Sequence, residues 1–73
     1  MMSLIAIEIL RVIEQNPRVT PLEISCKLKI STQYVRNTVR ILTELGLVET
    51  PVRGVYVITE LGKYVLNKQT KKK

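Results

Sequence analysis

Histidine and aspartate are both missing from the 73 residues, and cysteine occurs once, as Cys26. These gaps exclude Ser-His-Asp triads, HExxH zinc sites and paired catalytic aspartates, and the glutamates that supply all the acid are scattered. Enzymatic function is therefore not expected, and neither is a metal or cofactor. A lone cysteine makes no internal disulfide and no Cys/His zinc set. Cys26 reads as a small, half-buried helix residue; an intersubunit disulfide or redox sensor is the alternative. No apolar run approaches the roughly 18 residues that a bilayer span requires, so no membrane association is expected. The N-terminus has neither the basic region nor the small-residue cleavage site of a secretory signal.

What is present is a 45% hydrophobic chain rich in Ile, Val and Leu, as in a packed fold rather than a disordered one. Its length suits one domain, near the lower limit for folding on a hydrophobic core alone. The net charge is +6, but four lysines (Lys68, Lys71, Lys72 and Lys73) fall in the last six residues. Without those six, eight basic residues face six acidic ones, an excess of only +2. The expected organisation is a domain over 1–67 and a basic, disordered tail over 68–73, which can add nonspecific phosphate contacts. Local charge is more telling. Between Glu23 and Glu44 there is no acid, while Lys27, Lys29, Arg36 and Arg40 fall inside. An acid-free, basic helix pair suits a phosphate-lined groove.

The periodicity predicts a first helix over 3–15, with Ser3 as N-cap and Asn16-Pro17 as the stop. Ile5, Ala6, Ile9, Leu10, Val12 and Ile13 share an arc of roughly 160°. Leu4 and Ile7 lie among the polar residues opposite, more apolar surface than one core face needs. The C-terminal helix or a second subunit would cover the surplus. Thr20-Pro21-Leu22-Glu23 has the form of a capping box with proline at the first helical position. That second helix runs to about Leu28, burying Leu22, Ile24 or Ser25, and Leu28. Lys29-Ile30 makes the turn with Ile30 inward, and Ser31 caps a third helix over 32–45. Val35, Val39, Leu42 and Leu45 form its core stripe, with Gln33, Arg36, Asn37 and Arg40 opposite. Gly46 is a natural helix stop. Two β-prone runs, 47–50 and 55–58, flank a hairpin loop over 51–54. Thr59 caps a last helix with Leu61, Tyr64, Val65 and Leu66 inward.

The expected class is therefore mostly α with a small β-hairpin, in the order α-α-α-β-β-α. Thr20-Pro21-Leu22-Glu23-Ile24, Ser31-Thr32-Gln33-Tyr34-Val35, Leu42-Thr43-Glu44-Leu45-Gly46-Leu47-Val48 and Ile58-Thr59-Glu60-Leu61-Gly62-Lys63 follow one another at fixed spacing. They resemble the T-x-x-E-[IL], S-x-x-x-V, L-x-x-x-GLV and LTxxGK segments of small winged helix-turn-helix regulators in the MarR/ArsR-like superfamily. The resemblance covers nearly the whole chain. It implies double-stranded DNA as the partner, the third helix as reader, and a cytoplasmic, nucleoid-associated regulator, in the host cytoplasm if viral. It also implies a homodimer through the N-terminal and also the C-terminal helix. Abundant Ile, Val and Lys without Asp or His is compatible with a thermophilic archaeal or viral source.

Within that frame Gln33, Arg36 and Asn37 are the base-reading candidates, since Gln and Asn pair bidentately with adenine and Arg with guanine. Ser31 and Thr32 sit at a helix N-terminus suited to phosphate. Tyr34 either reaches phosphate or sugar or packs on the second helix. Arg40 either reaches the DNA backbone or pairs with Glu44. Lys27 and Lys29 are backbone contacts or solubilising charges, and Arg53 at the hairpin tip is a minor-groove or phosphate candidate. Two other readings compete. One is a protein-interaction winged helix; the other is a nonspecific architectural or replication protein relying on its lysine tail.

Overall fold

A computed structural model describes residues 4–70, with side chains as far as Lys68. The elements are α1 (Leu4–Gln15), α2 (Pro21–Leu28), α3 (Thr32–Glu44), β1 (Val48–Val52), β2 (Val55–Ile58) and α4 (Glu60–Thr70), which is the expected order of a winged helix-turn-helix. Helix α4 passes the boundary drawn at 67 and reaches Thr70. The Ser3 cap and Lys71, Lys72 and Lys73 lie outside the described residues.

Helix α1 buries Ala6, Ile7, Ile9, Leu10, Val12 and Ile13. Ile7 therefore joins the core, and the apolar surplus of α1 is reduced to Leu4, 78% exposed. After Gln15 the Asn16 side chain donates to the Val12 carbonyl at 2.8 Å, and Arg18 takes a left-handed φ of 61°. The chain then enters the capping box. Glu23 N–H donates to Thr20 Oγ1 at 3.3 Å, and Thr20 N–H donates to Glu23 Oε1 at 3.0 Å.

The inward residues of α2 are Pro21, Ile24 and Ser25, with Leu28 half-buried behind them. Proline occupies the core position that the sequence assigned to Leu22, so Leu22 turns outward at 64% exposure. The same helical phase puts Cys26 outside, one residue past Ser25, so it is exposed rather than half-buried. Lys29 makes the helix-turn-helix turn in the left-handed conformation, with φ 58° and ψ 47°, and Ile30 packs on the core as expected.

Helix α3 buries Val35, Val39 and Leu42, but Leu45 is 55% exposed. The helix ends just past Leu45 in a Schellman stop. Gly46 N–H donates to the Thr43 carbonyl at 3.0 Å and Leu47 N–H to the Leu42 carbonyl at 2.9 Å, with Gly46 at φ 82°. The reversal brings Leu47 into the core, while Leu45, still helical at the C-cap, lies at the edge of the Val35, Val39 and Leu42 stripe.

Strands β1 and β2 pair antiparallel, Val48 with Ile58, Glu49 with Val57 and Val52 with Val55, with a register shift between Glu49 and Val52. That irregularity admits Pro51, which has no N–H to give a ladder. Pro51 and Val52 thus belong to β1, and the loop expected over 51–54 contracts to a turn at Arg53-Gly54. A one-residue bridge extends the ladder: Tyr56 N–H donates to the Val19 carbonyl at 3.0 Å.

Helix α4 starts at a junction with α3. Thr59 Oγ1 accepts from Gly62 N–H at 3.0 Å and donates to the Gly46 carbonyl at 2.7 Å, while Thr59 N–H donates to the Leu47 carbonyl at 3.0 Å. Gly62 lies so close to Leu47 that a Cβ there would overlap its carbonyl oxygen and crowd Ile58 Cγ1. This close approach sets the phase of the helix: Gly62, Val65 and Leu66 face inward. Leu61 and Tyr64, expected inward, are instead exposed, and Tyr64 carries Lys68 Nζ 5.6 Å from its ring centroid.

Gly62→Ala is expected to destabilise the protein by at least about 1–3 kcal/mol, since backbone rather than a flexible side chain must yield. Thermal or urea unfolding checks this; a wild-type midpoint would refute the close approach.

Candidate nucleic-acid interface

Helix α3 divides into two faces because its apolar residues recur at i, i+4 and i+7 while polar residues fill the rest. Val35, Val39 and Leu42 lock it into the core. Gln33, Arg36, Asn37 and Arg40 are all exposed on the other side. The two amides hold each other: Gln33 Nε2 donates to Asn37 Oδ1 at 3.0 Å. That bond fixes the Asn37 side chain and leaves its amide nitrogen as an outward donor. Among the described residues no ion pair joins Arg40 to Glu44, so the guanidinium is not withdrawn toward that carboxylate.

The N-terminus of α3 is built differently from its middle. Ser31 Oγ accepts from Tyr34 N–H at 3.0 Å, the capping expected of it. Thr32 Oγ1 donates to Ser25 Oγ at 3.2 Å, and Ser25 Oγ donates to the Leu22 carbonyl at 2.8 Å. The Thr32 hydroxyl therefore stitches α3 to α2 and spends its proton inside the helix pair. Tyr34 is exposed rather than packed on α2. Lys27 and Lys29 are exposed on either side of the turn, and Lys27 shares a shallow cleft with Arg18 and Glu23. Arg53 stands at the hairpin tip, exposed, beside Gly54. The fold thus brings Gln33, Arg36, Asn37 and Arg40 to one face, with Arg53 on a separate element.

A second cleft lies between α3 and the hairpin, lined by Arg36, Arg40, Thr43, Glu44, Thr50 and Tyr56, with Val39 at its floor. Thr43, Thr50 and Tyr56 were not singled out from the sequence, nor was Arg18. Thr50 and Tyr56 come near Arg36 and Arg40 only because the hairpin folds back beside α3, whereas Thr43 shares α3 with them and Arg18 lies in the other cleft. Tyr56 is 7% exposed. Burial pushes its phenol above the ordinary value of 10.0, and the nearby Arg36 charge pulls the other way. Among the described residues no cluster of three or more His, Cys, Asp or Glu side chains could hold a metal, and no helix is long and apolar enough to cross a membrane.

Residues 2–49 match the family described as winged helix-turn-helix DNA-binding, and the chain belongs to that family. Its fold is that of MarR family proteins. It is similar to the multiple antibiotic-resistance repressor MarR of Listeria monocytogenes (18% identity, TM-score 0.90, 96% of this chain and 50% of that one). It is also similar to the MarR family protein Rv2887 of Mycobacterium tuberculosis in a complex with DNA (23%, TM-score 0.83, 96% and 54%). A third is Streptococcus pneumoniae FabT in a complex with DNA (22%, TM-score 0.80, 96% and 53%). The chain spans about half the length of each of these structures. No curated protein matches its sequence significantly.

Arg36→Ala removes the charge that favours tyrosinate, so the Tyr56 pKa is expected to rise further. Titrating tyrosinate absorbance, with Tyr56→Phe to subtract Tyr34 and Tyr64, checks the shift and its sign. An unmoved titration would mean that Arg36 does not reach the phenol.

Proposed function

We propose that the protein is a transcription regulator that binds double-stranded DNA sequence-specifically, with α3 in the major groove and the hairpin beside it. The observation that carries this reading is the outer face of α3: four exposed side chains able to read bases or grip phosphate, on a helix anchored by its opposite face. Gln33, Arg36 and Asn37 select bases, with Asn37 held by Gln33. Ser31, Tyr34 and Arg40, with Thr32 through its backbone N–H and Lys27 and Lys29 from α2 and its turn, supply backbone contacts, and Arg53 reaches the minor groove or an adjacent phosphate. Membership of a DNA-binding family and the DNA complexes formed by two structural relatives support the same partner.

The regulator acts as a homodimer through α1 and α4, placing two copies of α3 in successive major grooves about 34 Å apart. Exposed Leu4 on α1 and exposed Leu61 and Tyr64 on α4 support this assignment, as apolar surface on the helices expected to pair. The lysine-rich end beyond 67 adds nonspecific attraction to the duplex.

The target is obtained by selecting bound duplexes from a random library. On a selected site Arg36→Ala is expected to cost about 1–3 kcal/mol, the worth of one bidentate base contact, with a much smaller loss on random duplex. Equal losses on both would remove Arg36 from base readout. Failure of the wild type to bind any duplex, even at low salt, would instead favour a protein-interaction role. Removal of residues 68–73 is expected to weaken binding without abolishing it.

A further inference from the structure

Helix α4 carries a flank that its own fold leaves open. Gly62, Val65 and Leu66 turn inward, which sets Leu61 and Tyr64 outside, each at least half exposed. Leu61 Cδ2 lies 3.8 Å from where a Cβ on Gly46 would stand, so the flank borders the end of α3, where Leu45 is also exposed. Glu60 and Lys68 share this flank with Tyr64, one turn of helix to either side of it. Their spacing is symmetric: Glu60 stands four residues before the tyrosine and Lys68 four residues after. Reversing the helix end for end exchanges a carboxylate for an ammonium and leaves the tyrosine in place. The flank is therefore complementary to an antiparallel copy of itself. A parallel copy would set Glu60 against Glu60 and Lys68 against Lys68.

Resting on the homodimer reading above, we propose that α4 packs antiparallel against α4 of a second copy, about a two-fold axis at Tyr64. The two Tyr64 rings meet at the axis with Leu61 beside them, and Glu60 of each chain pairs with Lys68 of the partner subunit. A two-fold interface uses one surface twice, so both ion pairs form together. The charges on the flank are available for this. Glu60 has Lys63 at 3.6 Å, but both side chains are at least half exposed and such a contact is worth little. Lys68 lies 5.6 Å from the Tyr64 ring centroid, which holds its ammonium beside the proposed axis. The aromatic centre supplies contact area, while the charges at its rim fix orientation and partner. An unrelated apolar helix would cover the tyrosine and leave both charges unmatched, so the flank favours a second copy of this chain.

The test is sedimentation equilibrium of the full chain without DNA, comparing wild type with Glu60→Lys, Lys68→Glu and the double variant. Thermal unfolding verifies that each variant folds. The wild type is expected to dimerise. Each single reversal turns two attractive pairs into two repulsive ones, and is expected to weaken dimerisation at least about tenfold. Lys68→Glu is the more telling of the two, because it lowers the positive net charge and would tighten association if general repulsion were the only force. The double variant restores both pairs in swapped order and is expected to return to within about threefold of wild type. Recovery cannot arise inside one chain, since residues 60 and 68 are separated by about 12 Å of helix. A dimer indifferent to both reversals would overturn the antiparallel contact and leave the homodimer reading in place. Weakening that the double variant does not recover would overturn the contact too. A wild-type chain that stays monomeric at every concentration would overturn both.

Discussion

The junction between the end of α3 and the start of α4 is the constraint on which the rest of the arrangement depends. Gly46 reverses the chain, the Thr59 hydroxyl bonds to the Gly46 carbonyl and to Gly62 N–H at once, and Gly62 lies against the Leu47 carbonyl. Since Leu47 leads into β1 and Ile58 closes β2, these few contacts fix both ends of the hairpin relative to α3. The width of the cleft between α3 and the hairpin follows from this geometry. So does the phase of α4, which decides which of its apolar residues remain outside. In a chain this short, with little core to spare, backbone hydrogen bonds at a crossing do the positioning that a larger domain would leave to packing.

Helix α3 is held at its other end by a different device. Ser31 caps it, and the Thr32–Ser25–Leu22 hydrogen-bond chain ties it to α2 through the partly buried interior of the turn. With both ends fixed and one face buried, its outer residues are carried on a rigid support. The Gln33–Asn37 bond extends that order to the side chains themselves. Preorganisation of this kind lowers the entropy that a polar contact must repay on binding, which is where a solvated helix face otherwise loses most of its affinity.

Element order and capping were legible in the sequence because both are local. Thr20 with Glu23, Ser31, Gly46 and Thr59 each announce a helix boundary within three or four residues, and each performs that role. The inward face was legible only where the helix phase followed from hydrophobic spacing. At Leu22 and Cys26 it was displaced by Pro21 taking a core position. At Leu45 the last turn of the helix drifts to the edge of the stripe just before Leu47 takes the core place, and at Leu61 and Tyr64 the phase was set by the close approach of Gly62 to another element. In each case the deciding contact was tertiary or lay at a helix end, where periodicity stops carrying information. The candidate site divides the same way. Gln33, Arg36, Asn37 and Arg40 share a face by helical geometry alone, whereas Tyr56 meets Arg36 across a fold-back of about 20 residues that no spacing rule encodes.

Charge alone gives a misleading picture of how such a protein would hold a nucleic acid. Much of the +6 excess resides in the terminal lysines, and the rest of the chain is close to balanced. A lysine-rich end attracts any duplex, and its pull fades as salt rises. The outer face of α3 combines guanidinium groups with neutral amide donors, and the neutral contacts carry little salt dependence. In the proposed regulator the two contributions are separable: the tail raises encounter, while the structured donors decide register and choice. Near charge balance in the domain follows naturally from that division, because a face that must discriminate gains more from placed hydrogen bonds than from additional positive charge.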